Sequence, residues 1–329
     1  PLSRIAGMSL LVSILKGTLM SSIMTNTSAM TALKTLQQTN SAIETTQQRI
    51  STGYAVSEAS DNAAYWSIAT TMRSDNAALG TVQDALGLGA AKVDVAYTGM
   101  NSAMEVVDEI KTKLVAAREP GVDRSKIQSE ITELQAQLTG ISTAASFSGE
   151  NWLSIDSTAT GFSGTRSIVS SFNRAADGSV SVSTIDITIT NTALFDPDAG
   201  GAGVGGGLLD TDFATTTNGF DVNVSNLDIT TAGVLDADID DMISGVDAAI
   251  QSMTTAASDL GASKKRVDMQ SEFVGNLMDA IDRGVGKLVD ADMTEESTRL
   301  SALQVQQQLG VQALSIANAN SQTILSLFR

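Results

Sequence analysis

Between Tyr65 and Ala117 apolar or small side chains return in alternating steps of three and four: Tyr65, Ile68, Met72, then past Asp75 to Leu79, Val82, Leu86, Gly89, Val93, Ala96, Met100, Ala103, Val107, Ile110, Leu114 and Ala117. A 3.5-residue beat held for more than seven heptads admits one local structure, a long helix whose stripe is buried against other helices. Pro120-Gly121 ends it, because proline and glycine break helices. A shorter ladder follows at Ile127, Ile131, Leu134, Leu138 and Ile141, with Asp123 or Ser125 as its cap. Another runs from Ile243 to Leu288, where twelve of fourteen ladder positions are apolar.

The two ends of the chain differ from these ladders. Leu33, Leu36, Ile43 and Ile50, at steps of three, seven and seven, follow a seven-residue beat in a Thr-, Ala- and Gln-rich stretch. A strict seven implies supercoiling with a partner helix. In the closing stretch from Thr294, Leu300, Leu303, Val311, Leu314 and Leu325 fall on one side of a helix, while Val305, Leu309, Ile316 and Leu327 fall opposite. One apolar face is usual for a surface helix. Two faces mean either a terminal helix buried in its own core or an assembly element wedged between subunits, and the stretch is read as the second. Charge separates the ends from the rest: residues 21–50 carry Lys34, Glu44 and Arg49, and from Ser297 onward only Arg299 and Arg329, in a chain of net charge −17. Such arms can meet many copies of themselves without accumulating Coulomb repulsion.

The same acidity disfavours nucleic acid and anionic membranes as partners. Cys and His are both absent, which removes disulfides, Cys or His metal sites and every Ser-His or Cys-His mechanism. No enzymatic activity and no cofactor are expected. Only three prolines and 4% aromatics favour long helices over a thick globular core. Residues 1–19 place Arg4 before an apolar run from Met8 to Leu15 that is too short to span a membrane and shows no small-residue cleavage site. They are read as an upstream extension or leader.

From Asn151 the period changes. Residues 156–228 hold nine Asp and two Arg with no Glu or Lys. Residues 179–190 alternate polar and apolar after the turn dipeptide Asp177-Gly178, and a second alternating run starts at Phe220 after Asn218-Gly219, with a Gly-rich loop at 200–207. A small β insertion is predicted. Asp196, Asp198, Asp210 and Asp212 have the spacing of a Ca²⁺ site but lack the closing Glu of a twelve-residue loop, so turn formation is the preferred reading. Asp236, Asp238, Asp240 and Asp241 suit a helix start better than a glycosidase pair. Tyr65 is expected in the core; Trp66 beside it is the weaker candidate for burial.

Gln48-Arg49-Ile50-Ser51-Thr52-Gly53, Ser60-Asp61-Asn62-Ala63-Ala64, Asp292-Met293-Thr294-Glu295-Glu296 and the closing Ile324-Leu325-Ser326-Leu327-Phe328-Arg329 stand in the order found in bacterial flagellins, which the chain resembles over about 20–155 and 235–329. The resemblance implies a mainly α fold: a long coiled-coil-like helical bundle with paired terminal helices and a small inserted β-rich outer domain. The divisions expected are an N-terminal arm at 20–57 and a C-terminal arm at 292–329, which together form the inner filament domain. Bundle halves lie at 58–155 and 236–291, and a variable insertion at 156–235.

It also implies polymerisation into the flagellar filament for swimming motility, export through the flagellar type III channel, and contact with an export chaperone and with cap and hook-junction proteins. The self-assembly residues are taken to be Leu33, Leu36, Ile43, Leu300, Leu303, Leu309, Leu314 and Ile316. A surface glycan on the Ser and Thr of 157–192 follows from some flagellins. Two departures stand out. Tyr65-Trp66 replaces small residues, and the positions that meet the vertebrate innate receptor fall near Thr112 and Ala116, with Glu130 kept. The competing reading is a flagellin-like surface protein that binds a polysaccharide or cation.

Overall fold

A computed structural model describes residues 25–196, 206–215, 219 and 221–327. The expectations for residues 1–19, Asp198, most of the Gly-rich run, Asn218 and Phe220 lie outside the described residues, as do those for the side chains of Leu325 and Leu327. Among the described residues five helices carry the fold: α1 Thr27–Thr52, α2 Ala63–Ala117, α3 Arg124–Ala144, α4 Asp236–Val289 and α5 Met293–Leu327. The described parts of 1–72 and 283–329 form one compact unit, and 73–282 the other.

In the second unit the ladders are the core. Leu86, Val93, Met100, Val107, Ile110 and Leu114 of α2 are fully buried, as are Ile131 of α3 and Val246, Met253, Leu260 and Val267 of α4. At the start of α3, Asp123 accepts from Ser125 N at 3.1 Å, which identifies it as the cap. Around this core the helices are laced by ion pairs: Lys111 with Asp247, Lys264 with Asp94, and Arg118 with Asp236 and Asp240.

Among the described residues the strands form three two-stranded antiparallel ladders: β1 Ser146–Phe147 with β2 Glu150–Asn151, which precedes the expected insertion, and within it β3 Thr165–Arg174 with β4 Val180–Thr188, and β5 Phe213–Ala214 with β6 Asp221–Val222. The β3–β4 hairpin turns at Asp177-Gly178, where Gly178 has φ +86, and pairs Ile168 with Ile185 on its buried face. It packs on α2 where the ladder has Gly89; a Cβ there would stand 2.4 Å from Ile168 Cγ2, so only glycine lets the hairpin approach this closely. At the far end of the hairpin Arg174 grips Asp75 through Nε and Nη2, with contacts of 2.6 to 3.0 Å. The second alternating run yields only the two-residue β6.

The first rungs of the long ladder need correction. Tyr65 and Ile68 are 46% and 49% exposed, whereas Ala69 is 1% exposed. Trp66 is exposed as well, so neither aromatic belongs to a core. A 3.5 beat drifts against a 3.6-residue helix, and across the polar residues near Asp75 the buried line rotates onto Ala69.

Candidate self-assembly surface

In the first unit, α1 and α5 pack antiparallel. The Asn26 side chain caps α1 by accepting from Ala29 N at 2.9 Å, and Gly53, at φ +77, closes its other end by donating from N to Arg49 O at 2.8 Å. Asp292 starts α5 by accepting from Thr294 N and Glu295 N, and Glu295 and Glu296 in the first turn suit the helix dipole. The joint between them is a backbone clasp: Ala291 N donates to Gly53 O at 2.8 Å and Ala55 N to Val289 O at 2.7 Å. Nearby in the chain Asp61 accepts from Glu58 N and Ser57 N, and these backbone bonds hold its carboxyl below the usual carboxylate range.

The seam obeys the heptad. On α1 the heptad positions Ala29, Ala32, Leu36, Thr39, Ile43, Thr46 and Ile50 are covered, with Ala42 and Arg49 beside them; on α5 the covered positions are Glu296, Leu300, Leu303, Gln307, Gly310, Leu314 and Ala317. A Cβ on Gly310 would lie 3.3 Å from Leu36 Cδ1, so the leucine seats over the glycine. Three polar rungs cross the seam: Asn26 Nδ2 to Ala317 O at 2.9 Å, Gln307 Nε2 to Asn40 Oδ1 at 2.7 Å, and Arg49 Nη1 to Glu296 Oε1 at 3.1 Å.

The eight expected residues divide into two groups. Leu36, Ile43, Leu300, Leu303 and Leu314 are half-buried in the seam. Leu33, Leu309 and Ile316 face away from it and are 45%, 58% and 63% exposed. Met30 and Val305 are exposed as well, and so is Val311, which the helical period alone puts on the side of Leu300. Val311 sits one step of about 100° past Gly310, and it is Gly310 that meets Leu36. Gln307, Gly310 and Ala317 carry no hydrophobic signal, yet counting sevens from Leu300 and Leu303 reaches them. A shallow groove of about 530 Å³ opens on the pair, lined by Thr27, Ser28, Thr31, Ala32, Thr35, Gly310, Ala313 and Ala317.

The other acidic candidates serve structure. Asp196 accepts from Ser157 N, Asp210 from Asp196 N and Ser225 Oγ, and Asp212 from Asn223 Nδ2. Among the described residues no three acidic side chains form a metal-binding group. At the start of α4, Asp236 and Asp240 face Arg118, and Asp238 caps the helix by accepting from Leu235 N. Glu130 is paired with Lys113 at 2.6 Å.

A two-faced helix pair of low charge, carried by a chain that also holds a ladder-built bundle, defines a structural protein of the self-associating helical class, and comparison with known proteins makes this specific. Residues 23–158 match the model for the bacterial flagellin N-terminal helical region, and 243–328 the model for the C-terminal helical region. The chain is 54% identical over 322 residues to Flagellin C of Rhizobium meliloti (strain 1021), across 94% of this chain and 100% of that protein. It is 47% identical over 316 residues to a flagellin of Brucella melitensis biotype 1, with the same coverage of both chains. A crystal structure of Bacillus cereus flagellin is a more distant likeness, at 18% identity and TM-score 0.37 over 59% of this chain and 88% of that one. The chain belongs to the bacterial flagellin family and is a structural subunit of the flagellar filament.

Proposed function

We propose that this subunit polymerises through α1 and α5, and that the eight residues act in two roles. Leu36, Ile43, Leu300, Leu303 and Leu314 close the pair within one molecule. Leu33, Leu309 and Ile316 are covered by neighbouring copies. The supporting observation is the exposure of Leu309 and Ile316, 58% and 63%, on a helix pair whose opposite side is already closed. Burying each in a polymer contributes about 1.5–3 kcal/mol, offset in part by ordering the arms. Among the described residues no helix is long and apolar enough to cross a membrane.

On this reading the arms at 20–57 and 292–329 form the inner part of the filament, the halves at 58–155 and 236–291 the bundle, and 156–235 the outermost insertion. The subunit is secreted for motility, a chaperone holds α5 before export, and cap and hook-junction proteins receive the same surface. Any glycan would sit on exposed Ser or Thr of 157–192. Deleting 294–329 is the test. Filaments should vanish under the electron microscope while the helical circular dichroism of the bundle persists; a truncated chain that still formed filaments would refute the proposal.

A further inference from the structure

Of the three polar rungs across the α1–α5 seam, one differs in kind. The Asn40–Gln307 bond is exposed, and its groups exchange readily with water. Glu296 is not exposed: its side chain is 7% accessible, against 29% for Arg49. The pair is also incompletely satisfied. One 3.1 Å bond joins the two side chains, Arg299 Nη1 stands 3.5 Å from the same Oε1, and Glu296 Oε2 and Arg49 Nε are buried with no hydrogen-bond partner. A desolvated charge pair with polar atoms left over is a poor source of stability; its best-attested use is to select one register.

This seam needs such a selector. Leu36, Ile43 and Ile50 are spaced by sevens, and so are Leu303, Gly310 and Ala317. Sliding α1 by one heptad would carry Ile43 onto Gly310 and keep the apolar stripe facing α5. The same slide would move Arg49 about 10 Å from Glu296 at 1.5 Å per residue, stranding both charges. The slide would also break the clasp bonds at Gly53 and Val289, which act at the ends of the helices; the ion pair is the charged contact that opposes it between the helices themselves. We propose that Arg49–Glu296 is the positioning pair that selects the register of α1 against α5, and with it the shape of the surface offered to the next copy. The proposal rests on the arm pair being the assembly element.

The chain has no Cys, so introduced pairs report register cleanly. Leu36→Cys with Gly310→Cys reads the observed register, and Ile43→Cys with Gly310→Cys reads the slipped one. Intramolecular disulfides are scored on denaturing gels after assembly. Arg49→Met should lower the ratio of observed to slipped cross-link by about tenfold or more. Arg49→Lys, which keeps the charge, should retain more of the ratio than Arg49→Met. The proposal is overturned by an unchanged ratio in Arg49→Met, by loss of the first disulfide without gain of the second, by a ratio in Arg49→Lys no higher than in Arg49→Met, or by absence of the first disulfide when Arg49 and Glu296 are intact. Electron microscopy in parallel separates the two ideas: filaments with an unaltered ratio sink the register role alone, and correct cross-linking without filaments sinks assembly through this pair alone.

Discussion

The bundle at 73–282 and the arm pair α1–α5 are both built on heptads, yet they end in opposite states. In the bundle, Leu86, Met100, Ile110 and Leu114 are fully buried and the borders are laced by ion pairs such as Lys111 with Asp247 and Arg118 with Asp240. In the arms the buried α1 residues are Thr39 and Thr46, the leucines of the seam are half-covered, and Leu309 and Ile316 stand in water. A heptad that meets enough partner helices completes itself within one molecule. One that meets a single partner leaves a second face open, and near-neutral charge makes another copy a suitable cover.

Changes confined to either region should therefore be read by different measurements. After the arm deletion, the largest effect is expected from Leu309→Ser with Ile316→Ser. Losing about 1.5–3 kcal/mol at each site should raise the critical concentration for polymerisation by about a hundredfold or more. The thermal midpoint of the monomer should hold nearly constant, since exposed positions contribute within about 0.5 kcal/mol. If polymerisation were unchanged, the open face would not be the contact. Leu114→Ala reverses the pattern: unfolding in urea should show a loss of about 2–5 kcal/mol, with assembly intact wherever the bundle remains folded. Gly89→Ala tests a narrower point. Its Cβ meets Ile168 at 2.4 Å, and overpacking should cost about 1–3 kcal/mol; no loss would mean that the hairpin shifts freely on α2.

The smallest effect is acid. Lys111 is the first cause holding Asp247 below its usual range, and Lys92 does the same for Glu150. A carboxylate whose pKa is lowered on folding lends stability above its unfolded value, near about 4, and loses it as pH falls through the folded value. The bundle's melting temperature should therefore decline as the pH falls below about 4.5, and the decline should shrink at high salt because both groups remain partly exposed. A midpoint flat across that range would show these pairs to be inert.

Much of the architecture was legible because heptads are a local signal. Where large side chains line the stripe, spacing and burial agree: Leu79, Val82, Leu86, Val93, Met100, Val107, Ile110 and Leu114 are all buried. Reading fails where the signal is not hydrophobic or not regular. Strand β3 escapes the pattern because a register shift between Val169 and Ser171 breaks its alternation. The extension of the ladder back to Tyr65 fails because the spacing rule does not say when the neighbours of a helix change. At the assembly surface the leucines are visible in the sequence by hydrophobicity, Gln307 and Gly310 only by counting sevens from them, and Glu296 by neither signal.

By itself, the sequence determined that long helices form, where they stop, that the ends carry little charge and that histidine and cysteine chemistry are absent, since periodicity, punctuation and composition are properties of the chain. Tertiary structure alone decided which apolar side chains of the arms are covered and which remain open, because burial depends on the partner that a face meets. It also decided that Leu36 seats on Gly310 and Arg49 on Glu296, because a seven-residue repeat leaves the register open in the sequence, and it is set by contacts across the seam and at the backbone clasp.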